Sequence, residues 1–330
     1  MNAINPISHI NRPASARDIE VIRLEVNLGA EVLGVDFTAP VNDELAARLR
    51  SLLWQHQVLF FRETGIDNAR QAEIARVFGE PQVDSIAKRR GVTADQVIPF
   101  DTGPHANAYY GTQWHADATY LERPYLVSVL RSVIAPSVGG DTVFSSGISA
   151  YESLPDEVKK RIGRLTAVHR PDSKARKLIE DEGELKAYLA EYSGVEHPVV
   201  ITHPFSGRKV LYVNETFTEE IAGLPAEEGN KLLVYLTHQF YRPENQLRLK
   251  WRPGSLAIWD NRAVQHYGVA DYGNAPSSHP LTRASASRQN CRHSVGTAEQ
   301  WLRPPARDSG CVRTPAIPRA PTKRISSRST

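Results

Sequence analysis

The sequence predicts a mainly β fold with helical insertions, either a sandwich or a jelly roll. Three observations lead there. From Tyr109 to Tyr272 short strand-like runs recur, each broken by Gly or Pro. Only two stretches inside that region, 156–164 and 227–240, read as helical. No Gly-rich phosphate loop follows a first strand, which argues against a nucleotide-binding α/β domain.

Taken in order, residues 21–26 and 30–35 read as strand, turn, strand. Asn42 is placed to cap a helix whose Leu45, Leu49, Leu52 and Leu53 share one face. Residues 58–61 (Val-Leu-Phe-Phe) read as a buried strand, and a second helix begins at Asp67 and ends near Gly79, where glycine suits a left-handed stop. A polar section follows to about residue 108. The clearest strands beyond it cover 125–133, 142–144, 165–169, 199–202, 209–213, 246–250, 256–259 and 263–267. This divides the chain into a flexible N-terminus (1–19), one folded domain (20–273) and a tail (274–330). The tail is rich in Ser, Arg, Pro and Ala, and it lacks the apolar surface needed to offset its ordering entropy, so disorder is expected.

Apolar residues make up 41% of the chain and charged residues 23%, enough for a packed core. The N-terminus lacks an apolar signal core, and no apolar run reaches membrane-spanning length, so a soluble cytoplasmic protein with no membrane partner is expected. The net charge of +3 hides a split. Nine Arg and one Lys against Glu299 and Asp308 give the tail +8, leaving −5 for the rest. With no repeat and Trp301 as its lone aromatic, the tail does not read as a nucleic-acid arm. Both cysteines, Cys291 and Cys311, lie in it, so the body works without thiol chemistry.

The segment that carries chemistry is Trp114-His115-Ala116-Asp117-Ala118-Thr119. On a strand, residues two apart project to the same side at a Cα spacing of about 6.6 Å. One imidazole and one carboxylate can then occupy adjacent positions on one ion. A third ligand from a neighbouring strand would complete a triangular face and leave the opposite face open, the arrangement of iron(II) oxygenases. His197 and His203, each followed by proline, read as strand-end hydrogen bonders, whereas His9, His279 and His293 lie in terminal segments.

The Trp114 segment, Gly139-Gly140-Asp141-Thr142 and the stretch from Trp259 through Asp260, Asn261 and Arg262 to Gln265-His266-Tyr267 together resemble the taurine/2-oxoglutarate dioxygenase family, which includes 2,4-dichlorophenoxyacetate dioxygenases and alkylsulfatases. The resemblance starts near Leu28, continues through Phe78-Gly79-Glu80-Pro81 and Tyr212-Val213-Asn214-Glu215, and covers about four-fifths of the chain. It implies a double-stranded β-helix (jelly roll) with His115, Asp117 and His266 as ligands of Fe(II). It also implies that Thr142 helps hold 2-oxoglutarate, that dioxygen is the oxidant, and that a small-molecule substrate is hydroxylated with release of succinate and CO2. Asp141 and Asn261 are then turn and supporting residues, and Trp114 and Trp259 core aromatics. A homodimer or tetramer would follow as well.

The pattern breaks after His266. The family places one arginine eleven residues on, pairing the far carboxylate of 2-oxoglutarate, and a second four residues later; here those positions are Ser277 and Leu281. Leaving that carboxylate unpaired in a closed pocket would lose on the order of 2–5 kcal/mol. Two readings follow: Arg283 substitutes as the anchor, or the protein is a catalytically impaired metal-binding jelly roll. The abrupt change of character implies a shifted reading frame near Asn274, in which case another frame of the coding DNA should restore an Arg-containing strand. At the positions that meet substrate in the family stand Asp84, Ala87 and Gly111. A carboxylate at 84 would repel a sulfonate, which disfavours taurine itself and leaves Asp84 as either a contact for a substrate cation or a solvated loop carboxylate. Other sulfonates, sulfate esters and aryloxy acids stay open. A zinc hydrolase would need a general base beside the metal, and the sequence marks none.

Overall fold

The N-terminal hairpin pairs β1 (Glu20–Arg23) with β2 (Ala30–Leu33), and β2 runs parallel to β3 (Val58–Phe61) across the intervening helix α1 (Asp43–His56). The computed structural model from which this architecture is read describes residues 19–83, 85–93, 97–101, 111–171, 175–176, 178–271 and 280–287, with only the backbone at 99–101 and 280–287. The Asn42 side chain accepts the Leu45 amide at 2.8 Å, capping α1, and Leu45, Leu49, Leu52 and Leu53 are all buried. Helix α2 (Asn68–Arg76) is capped in the same way by Asp67. It ends three residues before Gly79, whose φ of 154° is not the left-handed stop expected.

The chain then forms β4 (Glu80–Gln82), the short helix α3 (Ser85–Arg89), β5 (Ile98–Asp101), β6 (Val127–Ser132) and β7 (Thr142–Ser146). Helices α4 (Gly147–Glu152) and α5 (Asp156–Ile162) lead to β8 (Thr166–His169), α6 (Glu182–Glu191), β9 (Val195–Pro198), β10 (Val200–Thr202), β11 (Lys209–Leu211) and β12 (Thr218–Ile221). Helix α7 (Ala226–Thr237), β13 (Gln246–Leu249), β14 (Leu256–Asp260), β15 (Val264–Gly268) and β16 (Pro280–Ser287) complete the described order. The expected helix at 227–240 is α7 extended by a 3-10 turn, His238–Tyr241. The sequence reading did not anticipate α3, α4 or α6, each short or weakly amphipathic.

Two sheets face one another. The larger runs β1-β2-β3-β14-β6-β16-β4, with β5 also paired to β16; the smaller is β13-β7-β15. Side chains of β3 and β14 alternate between two cores. Leu59, Phe61, Leu256 and Ile258 pack outward with residues of α1 and α2, while Val58, Phe60, Ala257 and Trp259 point inward and meet Phe144, Leu247, Leu249 and Val264. Burial on both faces explains why these strands read as unbroken apolar runs instead of alternating ones. A third core, including Val143, Ile162, Leu232 and Leu236, fills the far side of the smaller sheet.

Strand β16 corrects the sequence reading. The segment after Gly273 was expected to be disordered and to lack a strand, yet 280–287 lies antiparallel between β6 on one side and β4 and β5 on the other. Its residues, Pro-Leu-Thr-Arg-Ala-Ser-Ala-Ser, carry little apolar periodicity. The strand is specified by backbone pairing, because it completes hydrogen bonds that β6 would otherwise expose along an open edge. The folded part of the chain therefore extends beyond 273. Its register sets Arg283 opposite Leu130, a residue of the inter-sheet core, and Ser285 opposite Ser128.

Candidate metal centre

His115 and His266 meet as an antiparallel backbone pair between segments far apart in sequence. The His115 amide donates to the His266 carbonyl at 3.1 Å, and the His266 amide donates back at 2.8 Å. His266 sits in β15 and is fixed against Trp259 and Phe144, with ring centroids 4.7 and 5.8 Å away. His115 occupies only an isolated bridge, and Asp117 opens a turn in which Ala118 has a φ of 56°. The two residues thus share a side through a bridge and a turn, not through the regular strand the spacing suggested.

Ligand-capable atoms of His115, Asp117 and His266 all lie within 4.8 Å of one another. The two imidazole rings are 4.2 Å apart, and His115 Nε2 stands 3.8 Å from Asp117 Oδ1. Asp117 and His266 are buried, and the His115 side chain is 13% exposed, so the cluster is largely enclosed. The outward-turned atoms are assigned by their partners. His115 Nδ1 lies 2.8 Å from the Gln113 carbonyl, which can only accept, so Nδ1 carries the proton and the Nε2 lone pair faces the cluster. Asp117 Oδ2 accepts from the Ser128 hydroxyl at 2.6 Å, leaving Oδ1 toward His115.

That serine ends a chain of donors. Asn261 Nδ2 donates to Ser128 Oγ at 2.9 Å, and Trp259 Nε1 donates to Asn261 Oδ1 at 2.8 Å. Asn261 Oδ1 also accepts the Asp117 amide at 3.3 Å, so one side chain braces both the backbone and, through Ser128, the carboxylate. Ser128 escaped the sequence reading, although a serine within the apolar run Val127-Ser128-Val129 was the available signal. Gly111 also adjoins the centre, since a Cβ on it would lie 3.7 Å from His115 Cε1.

Thr142 begins β7 and is buried. Its hydroxyl accepts from Trp251 Nε1 at 2.9 Å, which leaves its own proton to donate. Asp141 accepts from Arg248 Nε at 2.6 Å and acts as a turn brace. Asp84 and the side chain of Arg283 lie outside the described residues. His197 and His203 are hydrogen bonders, as expected. His197 Nε2 lies 3.1 Å from the Leu121 carbonyl, and His203 Nε2 lies 2.9 Å from Asp260 Oδ2.

Two further hydrogen-bonded networks involve the buried histidines His169 and His203. His169 Nδ1 is 3.0 Å from the Thr119 hydroxyl, and burial, reinforced by nearby His197, pushes its pKa down to about 3. In the second, Ser206, His203 and Asp260 form a hydrogen-bonded chain, with 3.0 Å between Ser206 Oγ and His203 Nδ1. Burial raises the Asp260 carboxyl, but the Arg262 charge and the hydrogen bonds from His203 and Arg262 outweigh it and hold the group well below the usual range. This chain is no hydrolase triad. The Ser206 amide donates to His203 Nδ1 and the Gly207 amide to the His203 carbonyl, so neither can stabilise an oxyanion.

Residues 20–284 match the family described as taurine catabolism dioxygenase TauD, TfdA family, running ten residues past Asn274. The chain is 33% identical over 278 residues to the alpha-ketoglutarate-dependent sulfate ester dioxygenase of Pseudomonas putida, covering 79% of this chain and 87% of that protein. It is 29% identical over 263 residues to the alpha-ketoglutarate-dependent 2,4-dichlorophenoxyacetate dioxygenase of Burkholderia sp. strain RASC, covering 75% and 87%. The crystal structure of a taurine dioxygenase from Burkholderia xenovorans superposes with a TM-score of 0.67 at 31% identity, covering 82% of this chain and 90% of that one.

Proposed function

The chain belongs to the TauD/TfdA family of alpha-ketoglutarate-dependent dioxygenases, and from that premise we propose that it uses Fe(II), 2-oxoglutarate and dioxygen to hydroxylate a small organic anion of the sulfate ester, sulfonate or aryloxy acid type. The observation that carries the reading is the convergence of His115, Asp117 and His266, two nitrogens and one oxygen, from segments about 150 residues apart in sequence. The donor set fits iron(II). Each residue offers one atom inward while Gln113 and Ser128 occupy the other atoms of His115 and Asp117. The facing sheets are read as the double-stranded β-helix.

Iron held there, with 2-oxoglutarate and dioxygen, supplies an oxidant that replaces a substrate C–H by C–OH, with succinate and CO2 as co-products. The chain's own part is to orient and to exclude water. Ser128 and Asn261 fix the carboxylate ligand, Gln113 fixes the tautomer of His115, and Thr142 donates its free hydroxyl proton to a 2-oxoglutarate carboxylate. Arg283 is the anchor of the distal carboxylate in this reading. The β16 register gives position 283 the face shared with Leu130, and Leu130 belongs to the same inter-sheet core as Trp251, the partner of Thr142.

Incubation with Fe(II), 2-oxoglutarate and air against hexyl sulfate, hexanesulfonate and 2,4-dichlorophenoxyacetate tests the reading by succinate yield. At least one compound should raise succinate above the substrate-free level, and His115→Ala should abolish it. A competing reading, an impaired metal-binding jelly roll, is favoured by Ser277 and Leu281 at the two family arginine positions. It requires that 2-oxoglutarate fail to bind the iron-loaded protein.

A further inference from the structure

A ring of three buried hydroxyls outside the metal centre ties three distant pieces of chain together. Ser85 opens α3, Tyr188 belongs to α6, and Tyr120 stands three residues after Asp117. Ser85 Oγ is 2.8 Å from Tyr120 OH and 2.6 Å from Tyr188 OH, and Tyr188 OH donates to Tyr120 OH at 3.4 Å. Three hydroxyls hold three protons, so each can donate once and accept once around a closed ring. The two tyrosines are 1% and 0% exposed and Ser85 is 7% exposed, so water does not compete for these bonds.

Packing repeats the same linkage. Ile86 of α3 joins Tyr188, Ala175 and Ile179 in a small core of its own, and Arg89 lies 5.4 Å over the Tyr188 ring while pairing with Glu191. Tyr120 in turn contacts Phe217 at 5.1 Å, and Phe217 lies 6.4 Å from His115. Helices α3 and α6 therefore form a wall that is hydrogen-bonded to the ligand-bearing segment through Ser85 and, at longer range, through Tyr188. Neither helix can form a stable unit on its own, since α3 has only five residues and α6 buries only Tyr188.

We propose that Ser85 is a positioning residue: its hydroxyl latches the α3–α6 wall onto the segment carrying Asp117 and keeps water from the centre. The latch rests on geometry alone, while its effect on turnover rests on the dioxygenase reading above. With the wall loosened, 2-oxoglutarate would be consumed without productive oxidation of a substrate.

Hydrogen–deuterium exchange and substrate-free succinate yield, measured on the full chain as wild type, Ser85→Ala, Ser85→Thr and Tyr188→Phe, test this. Loss of the ring should speed amide exchange in 85–90 and 117–121 on the order of tenfold in Ser85→Ala and Tyr188→Phe, with α1 unchanged and Ser85→Thr close to wild type. Substrate-free succinate should rise several-fold in the same two variants, at unchanged Mn(II) affinity. Should Ser85→Ala fail to fold, Tyr188→Phe, which removes one oxygen and keeps the aromatic side chain, carries both measurements. Unchanged exchange overturns the latch. Faster exchange without extra succinate overturns its positioning role. Absence of succinate from wild type with every substrate tried overturns the dioxygenase reading, and the exchange data still decide the latch.

Discussion

Replacing Ser128 by alanine removes the hydroxyl that points Asp117 at the metal centre. Ser128 and Asp117 are 0% and 3% exposed and their oxygens are 2.6 Å apart, so the bond is a short, charge-assisted one in a dry site. Such a bond is worth about 1.5–3 kcal/mol, and its loss also strands the Asn261 amide that donated to Ser128. Part of that energy orients the carboxylate, and outer partners of metal ligands typically change affinity by about 10- to 100-fold, or roughly 1.4–2.7 kcal/mol. Anaerobic titration calorimetry with Mn(II), which does not react with oxygen, reads the change directly. Ser128→Ala should bind within that weakened range, and Ser128→Thr should recover most of the loss. An affinity for Ser128→Ala within threefold of wild type, with the fold intact by circular dichroism, would show that the carboxylate needs no brace and would refute the assignment of its two oxygens.

Three further outcomes are expected. Thr142→Val should raise the apparent Kd for 2-oxoglutarate about tenfold through loss of the hydroxyl donor and lower stability by about 1 kcal/mol, because Trp251 Nε1 loses its acceptor; binding and thermal melts separate the two effects. Arg283→Ala should weaken 2-oxoglutarate binding about 30-fold or more, whereas equal affinity would refute its role as the anchor of the distal carboxylate. His169 is buried with its pKa pushed down to about 3, so the unfolded chain takes up a proton near pH 6.5 that the folded chain refuses until about pH 3. Its contribution is complete above pH 6.5 and is lost as pH falls through that window, by up to about 1.4 kcal/mol per pH unit; thermal melts of wild type and His169→Gln between pH 7 and 4.5 should diverge accordingly.

What the sequence discloses is what local chemistry writes. The caps at Asn42 and Asp67 act on amides three residues away, so they can be read from a short window and stand as expected. His115 and Asp117 are legible by spacing and composition, although the turn at Ala118 that joins them is not. The long-range supports are only half legible. Ser128 lies 11 residues from Asp117 and Asn261 lies 144 from it, so a serine in an apolar run and an asparagine in a family motif mark the positions without naming the carboxylate they serve. Strand β16 is illegible for a related reason: its partners β4, β5 and β6 specify it through backbone hydrogen bonds, which leave no mark on side-chain pattern. The Ser85–Tyr120–Tyr188 ring spans 103 residues and becomes visible only once α3 and α6 are packed.

In the proposed function three side chains hold a metal on one face and leave the opposite face open to 2-oxoglutarate. Anaerobic visible spectroscopy of the protein loaded first with Fe(II) and then with 2-oxoglutarate addresses it most directly, because only direct chelation of the keto acid gives a metal-to-ligand charge-transfer band. This band should appear on adding 2-oxoglutarate and be lost in His266→Ala. Iron bound at the centre with no band at saturating 2-oxoglutarate would contradict this arrangement.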